Sequence, residues 1–387
     1  MIDSNSKDII STFENKKNFK LNQAYVATWK YLGLNSFNMD NYRLPQIEQY
    51  KEKYMDFNKE EFDGLTIVPT KDASRNECFC GCSSFKTATS VSKDFVRLAE
   101  NGFNAGVFIK VPENKIVDSY LRLNFNLNKN NTTLIDNNII VAEPNSKFTL
   151  VVDYITQDKE TAAFHNGLTK VLAKEGSEVN VVKIQRMNDK STHFDSNMAL
   201  VEGNGKVNWV TIEIGSGINV TNYNSDLKGD HSSADIYSAY LVDGDRRQDI
   251  YYTTNHFGKE SMSNMVIEGV LKDRARKIFK GNIDFKKGSS KSKGAQSEEV
   301  LLLDPTVKTD TVPMLLCHEE DVDGVHAASV GKIDENQLFY LMSRGLDDRE
   351  AKKLVIEARF SPIFDRVPAD DLKEFLSEEL RRRLVNG

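Results

Sequence analysis

The chain has 387 residues and a formal net charge of −6. Hydrophobic residues at 39% and charged residues at 28% exclude a disordered polymer, and no run approaches the ~18 apolar residues of a membrane-spanning helix. An acidic balance argues against general nucleic-acid binding, which needs a basic face.

Residues 1–95 read as helical and irregular. The segment from Met1 to Asp8 lacks the basic-then-apolar layout of a signal peptide. Lys20 to Leu34 places Leu21, Tyr25, Thr28, Trp29 and Leu32 at helical spacing, with Gly33 as a stop. Leu44-Pro45 opens a second helical stretch that carries Ile47, Tyr50, Tyr54 and Phe57 about one turn apart. The four cysteines of the chain are too few for a secreted disulfide framework, so the expected setting is cytoplasmic with reduced thiols.

Residues 96–330 read as β. β-branched residues alternate with polar ones, as in Glu178-Val179-Asn180-Val181, Lys206-Val207-Asn208-Trp209 and Thr211-Ile212-Glu213-Ile214. Turn residues punctuate the runs: Glu175-Gly176-Ser177, Gly203-Asn204-Gly205, Gly215-Ser216-Gly217 and Asp243-Gly244-Asp245. Strand-like segments recur about every 12–16 residues, which suits a sandwich, a barrel or a solenoid. A solenoid is favoured because each coil buries one face on the next and needs no long-range pairing, although no crisp hexapeptide or nonapeptide repeat is present.

Residues 331–387 read as helical. Asp334 is placed to cap a helix through Leu338, Phe339, Leu341 and Met342, which Gly345 ends. Asp347 and Glu350 form a capping box for a second helix, whose pattern Pro362 ends. Pro368 precedes a third helix with an apolar stripe of Leu372, Phe375, Leu376, Leu380 and Leu384. Arg381-Arg382-Arg383 suit the negative end of its dipole and add solubility. Such a module either caps the last coil or docks a partner.

Two clusters carry soft metal ligands. Cys78-Phe79-Cys80-Gly81-Cys82 places three thiols on one side of an extended chain, where they could face a metal, although the spacing is not that of a zinc site. The bland alternative is a loop with inert thiols. Cys317-His318-Glu319-Glu320-Asp321, followed by Asp323 and His326, mixes a thiol, imidazoles and carboxylates at the end of the β region. Its alternative is a solvated acidic turn. His165, His193, His231 and His256 are scattered singly and read as polar strand residues. Gly288 to Gly294 reads as a turn between strands. Gly324 to Lys332 lacks Walker A spacing, so no nucleotide site is expected in this chain.

Residues 275–360 hold a long ordered set of segments: Phe279-Lys280-Gly281-Asn282-Ile283, Lys293-Gly294-Ala295-Gln296 and Leu301-Leu302-Leu303-Asp304, then Glu320 through Asp334 and Leu338-Phe339-Tyr340-Leu341-Met342-Ser343-Arg344-Gly345. In that order they resemble the SufB/SufD family. Trp29-Lys30-Tyr31 is similar to a SufD element, and Gly106 to Pro112 to the family's entry into its core. His326-Ala327-Ala328 lies closer to the SufD pattern than to the SufB one.

The resemblance implies a right-handed parallel β-helix core flanked by N-terminal and C-terminal helical regions, in a non-ATPase scaffold of SUF-type iron–sulfur cluster assembly. It implies a SufC-type ATPase docked on the C-terminal region, through Leu338, Phe339, Tyr340, Arg344 and Gly345, and a SufB-type paralogue at the β-helix end. It leaves open a homodimer of the isolated chain. A transient cluster is expected in the complex and none in the isolated chain. His326 carries over as the candidate ligand. Some SufD proteins place a cysteine two residues earlier, where this chain has Gly324. Cys317 does not carry over by alignment and stands as a second candidate, with Cys78, Cys80 and Cys82 as unassigned thiols. Two other readings are a purely structural subunit that never touches iron and a β-solenoid enzyme acting on polysaccharide.

Overall fold

A computed structural model describes residues 91–385 without a break, preceded by short segments and single residues between 11 and 85. The helix expected over Lys20–Leu34 falls mostly outside the described residues, as do Trp29-Lys30-Tyr31, the start of the helix expected from Leu44, and Cys78, Cys80 and Cys82.

A short antiparallel pair, β1 (Asn18–Lys20) with β2 (Ser36–Asn38), precedes the main body. That body is two long sheets built from alternate strands of one winding chain. The 9-stranded sheet holds β3 (Thr66–Pro69), β4 (Val107–Val111), β6 (Thr133–Ala142), β8 (Phe164–Ala173), β10 (Thr192–Val201), β12 (Ile218–Leu227), β14 (Arg247–His256), β16 (Arg276–Phe285) and β18 (Lys308–Cys317). The 8-stranded sheet holds β5 (Ile116–Leu127), β7 (Lys147–Thr156), β9 (Glu178–Arg186), β11 (Lys206–Glu213), β13 (Ser233–Val242), β15 (Met262–Leu271), β17 (Lys293–Leu302) and β19 (Asp323–Gly331). From β4 onward every neighbour within a sheet is parallel, so the fold is a β-solenoid with two strands per coil.

Each coil takes about 29 residues. His165 and His193 stand 28 apart on neighbouring rungs, and Glu143 and Lys174 stand 31 apart. Inward side chains therefore stack in columns. One runs Val181, Trp209, Ile236, Met265, Gln296. Each fully buried aliphatic or aromatic rung contributes roughly 1.5–3 kcal/mol of apolar burial.

The repeat missing from the residue pattern is present in the backbone. Asn114, Asn145, Gly176, Asn204, His231, Glu260 and Lys291 each adopt a left-handed conformation, φ +54° to +66°, at the same corner of successive coils. Each donates its N–H to a carbonyl one coil further on, from Asn114 to Pro144 through Lys291 to Asp321. Ser146, Ser177, Ser232 and Ser261 follow this residue and bond back to the carbonyl three residues earlier.

Both outer faces are covered along most of the solenoid, which explains strands buried at every position, such as β6, β8 and β10. Helix α1 (Lys93–Asn101), capped by Ser92, packs Phe95 with Phe13, Phe19 and Phe37 onto Phe164 and Phe194 of the 9-stranded sheet. At the tail, α2 (Glu335–Ser343) leads into α3 (Asp348–Phe364) and α4 (Asp370–Val385). Ile356, Phe360, Leu372 and Leu376 cover Val182, Ile212 and Leu241 on the outer face of the 8-stranded sheet. The cap at Asp334 and the Asp347–Glu350 capping box form as expected. Pro362 does not end the pattern: it forfeits one bond to the carbonyl four residues earlier, but only two residues of α3 follow it, so there is little helix beyond it to kink. Tyr50, Tyr54 and Phe57 are also not on a helix. They follow an irregular path that brings Tyr50 and Tyr54 onto Phe125, and with Phe62 they plug the first end of the solenoid.

Candidate functional site

The second end of the solenoid is open. β18 and β19 are the last strands of their sheets, and β19 is exposed over most of its length, whereas the equivalent strands below it are largely buried. His326 pairs in register with Gln296, so it continues the inward column of Trp209, Ile236 and Met265. Its imidazole is exposed only because no coil follows.

Cys317 pairs with Phe285 and continues the inward column of Leu227 and His256 on the facing sheet. It is a free, exposed thiol. Gly324 also faces inward: a Cβ built there would stand 2.9 and 3.0 Å from the Leu315 methyls and 3.1 Å from Phe285. The rest of the second cluster goes elsewhere. Glu319 accepts the Gly288 N–H at 2.8 Å, and that bond with the Glu320 N–H holds its carboxyl below the usual range. His318 lies 3.8 Å from Asp284, and the Asp321 carbonyl serves the turn ladder. Among the described residues no three His, Cys, Asp or Glu side chains converge into a metal-holding group.

Behind the mouth the largely apolar lumen also encloses buried polar groups, which the single-residue reading of the histidines missed. Lys277 Nζ lies 2.5 Å from Glu298 Oε1, and both are fully buried. Tyr240 and Thr311 donate to the same carboxylate at 2.8 and 2.6 Å. Burial pushes the Lys277 ammonium below its ordinary value against the pull of Glu298, and burial together with Glu298 holds the Tyr240 phenol well above its own. Further in, Glu213 accepts from Asn219 and Gln248 at 2.5 Å. At the far end His165 Nδ1 and His193 Nδ1 are hydrogen-bonded at 2.8 Å, and His165 Nε2 lies 2.5 Å from Asp136. Burial, then His165 and Lys183, keep His193 neutral by holding it far below its ordinary value. The available signal for this pair was its 28-residue separation, one coil.

The tail presents a second surface. α2 has no buried residue, and Phe339, Tyr340 and Met342 are 74%, 56% and 44% exposed. Leu338 packs partly against the cluster beneath, Arg344 lies over the Tyr340 ring at 5.3 Å, and Gly345 turns the chain at φ +103°. α3 and α4 are pinned instead: Arg359 to Glu299 at 2.6 Å, Arg122 to Asp371 at 2.6 Å, Arg383 to Asp243 at 3.0 Å, and Arg366 over the Tyr237 ring at 3.4 Å. Of the arginine run, Arg381 and Arg383 are therefore also cross-links, to Glu357 and Asp243.

A family model described as "SUF system FeS cluster assembly, SufBD core domain" matches residues 125–359, the span from β5 to α3. The chain belongs to the SufBD family. Its relatives include the iron–sulfur cluster assembly protein SufD of Bacillus subtilis, 30% identical over 282 residues, which covers 73% of this chain and 64% of that protein. A SufBD family protein of Mycobacterium leprae is 27% identical over 68% of this chain and 30% of its own length. One of Staphylococcus saprophyticus is 25% identical over 83% of this chain and 70% of its own length. The alignments thus span less than two thirds of the Bacillus and Mycobacterium relatives. The SufBD core of this chain is the β-solenoid with its open end, and among the described residues no helix is long and apolar enough to cross a membrane.

Proposed function

We propose that this SufBD chain is a SufD-type scaffold subunit of cytoplasmic iron–sulfur cluster assembly without a nucleotide site of its own. The supporting observation is His326, an inward-facing imidazole left exposed at the open mouth of the solenoid. An unfinished β edge pairs readily with another edge, and Val325, Val330 and Leu316 are 59%, 44% and 42% exposed around it. A SufB-type paralogue placed mouth to mouth would cover that surface and supply further ligands; two copies of this chain are the alternative pairing in isolation. Imidazole is a competent iron ligand beside sulfide and thiolate, as in Rieske-type centres.

The exposed α2 suits the SufC-type ATPase. Phe339 and Tyr340 provide the apolar contact, with Leu338, Arg344 and Gly345 shaping it. Only Lys332 to Asp334 separate β19 from α2, so motion of the ATPase heads reaches the mouth strand directly. In this scheme ATP-driven rearrangement opens the paired mouths to iron and sulfide, the cargo, which is held transiently at His326.

The test is His326→Ala in the complex reconstituted with the ATPase and the paralogue, scored by iron and acid-labile sulfide per complex. We expect a loss of about tenfold or more. Loading equal to the parent would remove His326 from the mechanism and leave a purely structural subunit, the reading favoured by the absence of any donor at Gly324.

A further inference from the structure

One register position inside the largely apolar lumen is polar in six successive coils: His165, His193, Asn219, Gln248, Lys277 and Thr309 stand one above another. Near the mouth this file meets Glu298, which pairs with Lys277 out of reach of solvent. An apolar filling of the same volume is commonly as stable as a buried ion pair, so stability alone does not account for the pair. Thr311 links it to the mouth. Thr311 lies on the last strand of its sheet, with no strand stacked above it. Its hydroxyl donates to Glu298 Oε2 at 2.6 Å and accepts from Lys277 Nζ at 3.2 Å, which leaves one lone pair of the oxygen unused. Directly above Glu298 the mouth strand has Ala328, which offers only a methyl. On the same floor the Gln296 amide and the Thr309 hydroxyl are buried with no hydrogen-bond partner among the described residues, and Gln296 stands one rung below His326. Beneath the mouth there is thus an acid–base pair sealed from water and reached through the Thr311 hydroxyl.

We propose that the Lys277–Glu298 pair takes up the proton that hydrosulfide releases when it binds iron at the mouth, with Thr311 as the relay. This deepens the reading of His326 given above and rests on it. The S–H bond breaks toward the unused lone pair of Thr311 Oγ, the hydroxyl's own proton passes to Glu298 Oε2, and the electron pair left on sulfur forms the bond to iron. No oxidant or reductant enters the step. The pair gains one positive charge as the cargo beside it gains one negative charge, so neither is left uncompensated where the dielectric is low. The groups that face Glu298 are Lys277 from β16, Thr311 from β18 and Tyr240 from β13, which donates to Oε1 at 2.8 Å. Asp310 acts through space on Lys277, and Glu268 on Tyr240. Tyr240 holds its own proton more tightly than a free phenol, so acceptance falls to the carboxylate.

The test compares rates rather than end points. Ferrous iron and hydrosulfide are added anaerobically to the complex reconstituted with the ATPase and the paralogue, and the accumulation of protein-bound iron and acid-labile sulfide is timed in dilute and in concentrated HEPES. The variants are Thr311→Val, Thr311→Ser, and Lys277→Met combined with Glu298→Leu, which fills the same space without charge. We expect the parent and Thr311→Ser to load at a rate independent of the buffer. Thr311→Val and the double variant should load about 100-fold more slowly in dilute HEPES, and concentrated HEPES should restore them by accepting the proton instead. Parental rates in dilute buffer for both variants overturn the proposal and leave the pair as a device that pins the coil register. Slow loading that concentrated buffer does not restore also overturns it, since the defect is then structural. If His326→Ala abolishes loading while the double variant loads like the parent, the scaffold reading stands and the proton path falls. If His326→Ala loads fully, the scaffold reading itself falls and takes this inference with it.

Discussion

The buried Lys277–Glu298 pair shows how strongly a single residue can depend on its rung. Both side chains are shut off from solvent, and Thr311 ties them to the last coil at 2.6 Å from Glu298. A buried pair adds little net stability, but removing one partner leaves an uncompensated charge. Glu298→Ala should cost about 3–5 kcal/mol in urea unfolding, and the double change Lys277→Met with Glu298→Leu should recover much of it. Glu268 gives a pH dependence. Burial first, and then Glu299 beside it, push its carboxyl up to about 7 against the pull of Arg359. A folded value above the unfolded one means that the native state holds a proton the unfolded chain has released. Stability is then lost as the pH rises between the unfolded carboxyl value and about 7. Glu268→Gln should therefore melt higher than the parent near pH 8, with the gap closing near pH 5, in thermal scans across pH.

At the scale of elements, the corner ladder and the tail were legible to different degrees. The turns at Gly176, Asn204, Ser216 and Gly244 were readable because their chemistry is local. Their stacking was not, because the repeat is a backbone conformation that Asn, Gly, His, Glu and Lys all adopt here. The glycines of these turns differ in what surrounds them. At Gly244, φ +61°, a Cβ meets nothing within 4 Å, so Gly244→Ala should cost only the left-handed strain of about 1–2 kcal/mol. At Gly258 a Cβ would stand 2.0 Å from the Gly229 carbonyl oxygen of the preceding coil, so Gly258→Ala should cost more by chemical denaturation. On α2, Phe339→Glu with Tyr340→Glu removes no buried contact. It should leave stability within about 0.5 kcal/mol and abolish co-purification with the ATPase.

In the whole molecule the two ends of the solenoid are unlike. Tyr50, Tyr54, Phe57 and Phe62 close the first. The tail does not close the second: α3 and α4 turn back along the 8-stranded sheet until Arg122 of β5 meets Asp371. This settles where the helices go, because their apolar stripes found a larger dry surface on the sheet face than the rim of one coil offers. The amino-acid sequence by itself determined what depends on near neighbours: strand alternation, turn residues, the caps at Asp334 and Asp347, and, through its long motif, the membership of the family. Only the tertiary structure decided which residues share a rung. The length of a coil is the sum of two strands and two turns of variable size, so the partner of His165, the neighbours of Lys277 and the place of His326 above Gln296 become defined only once the coils are stacked.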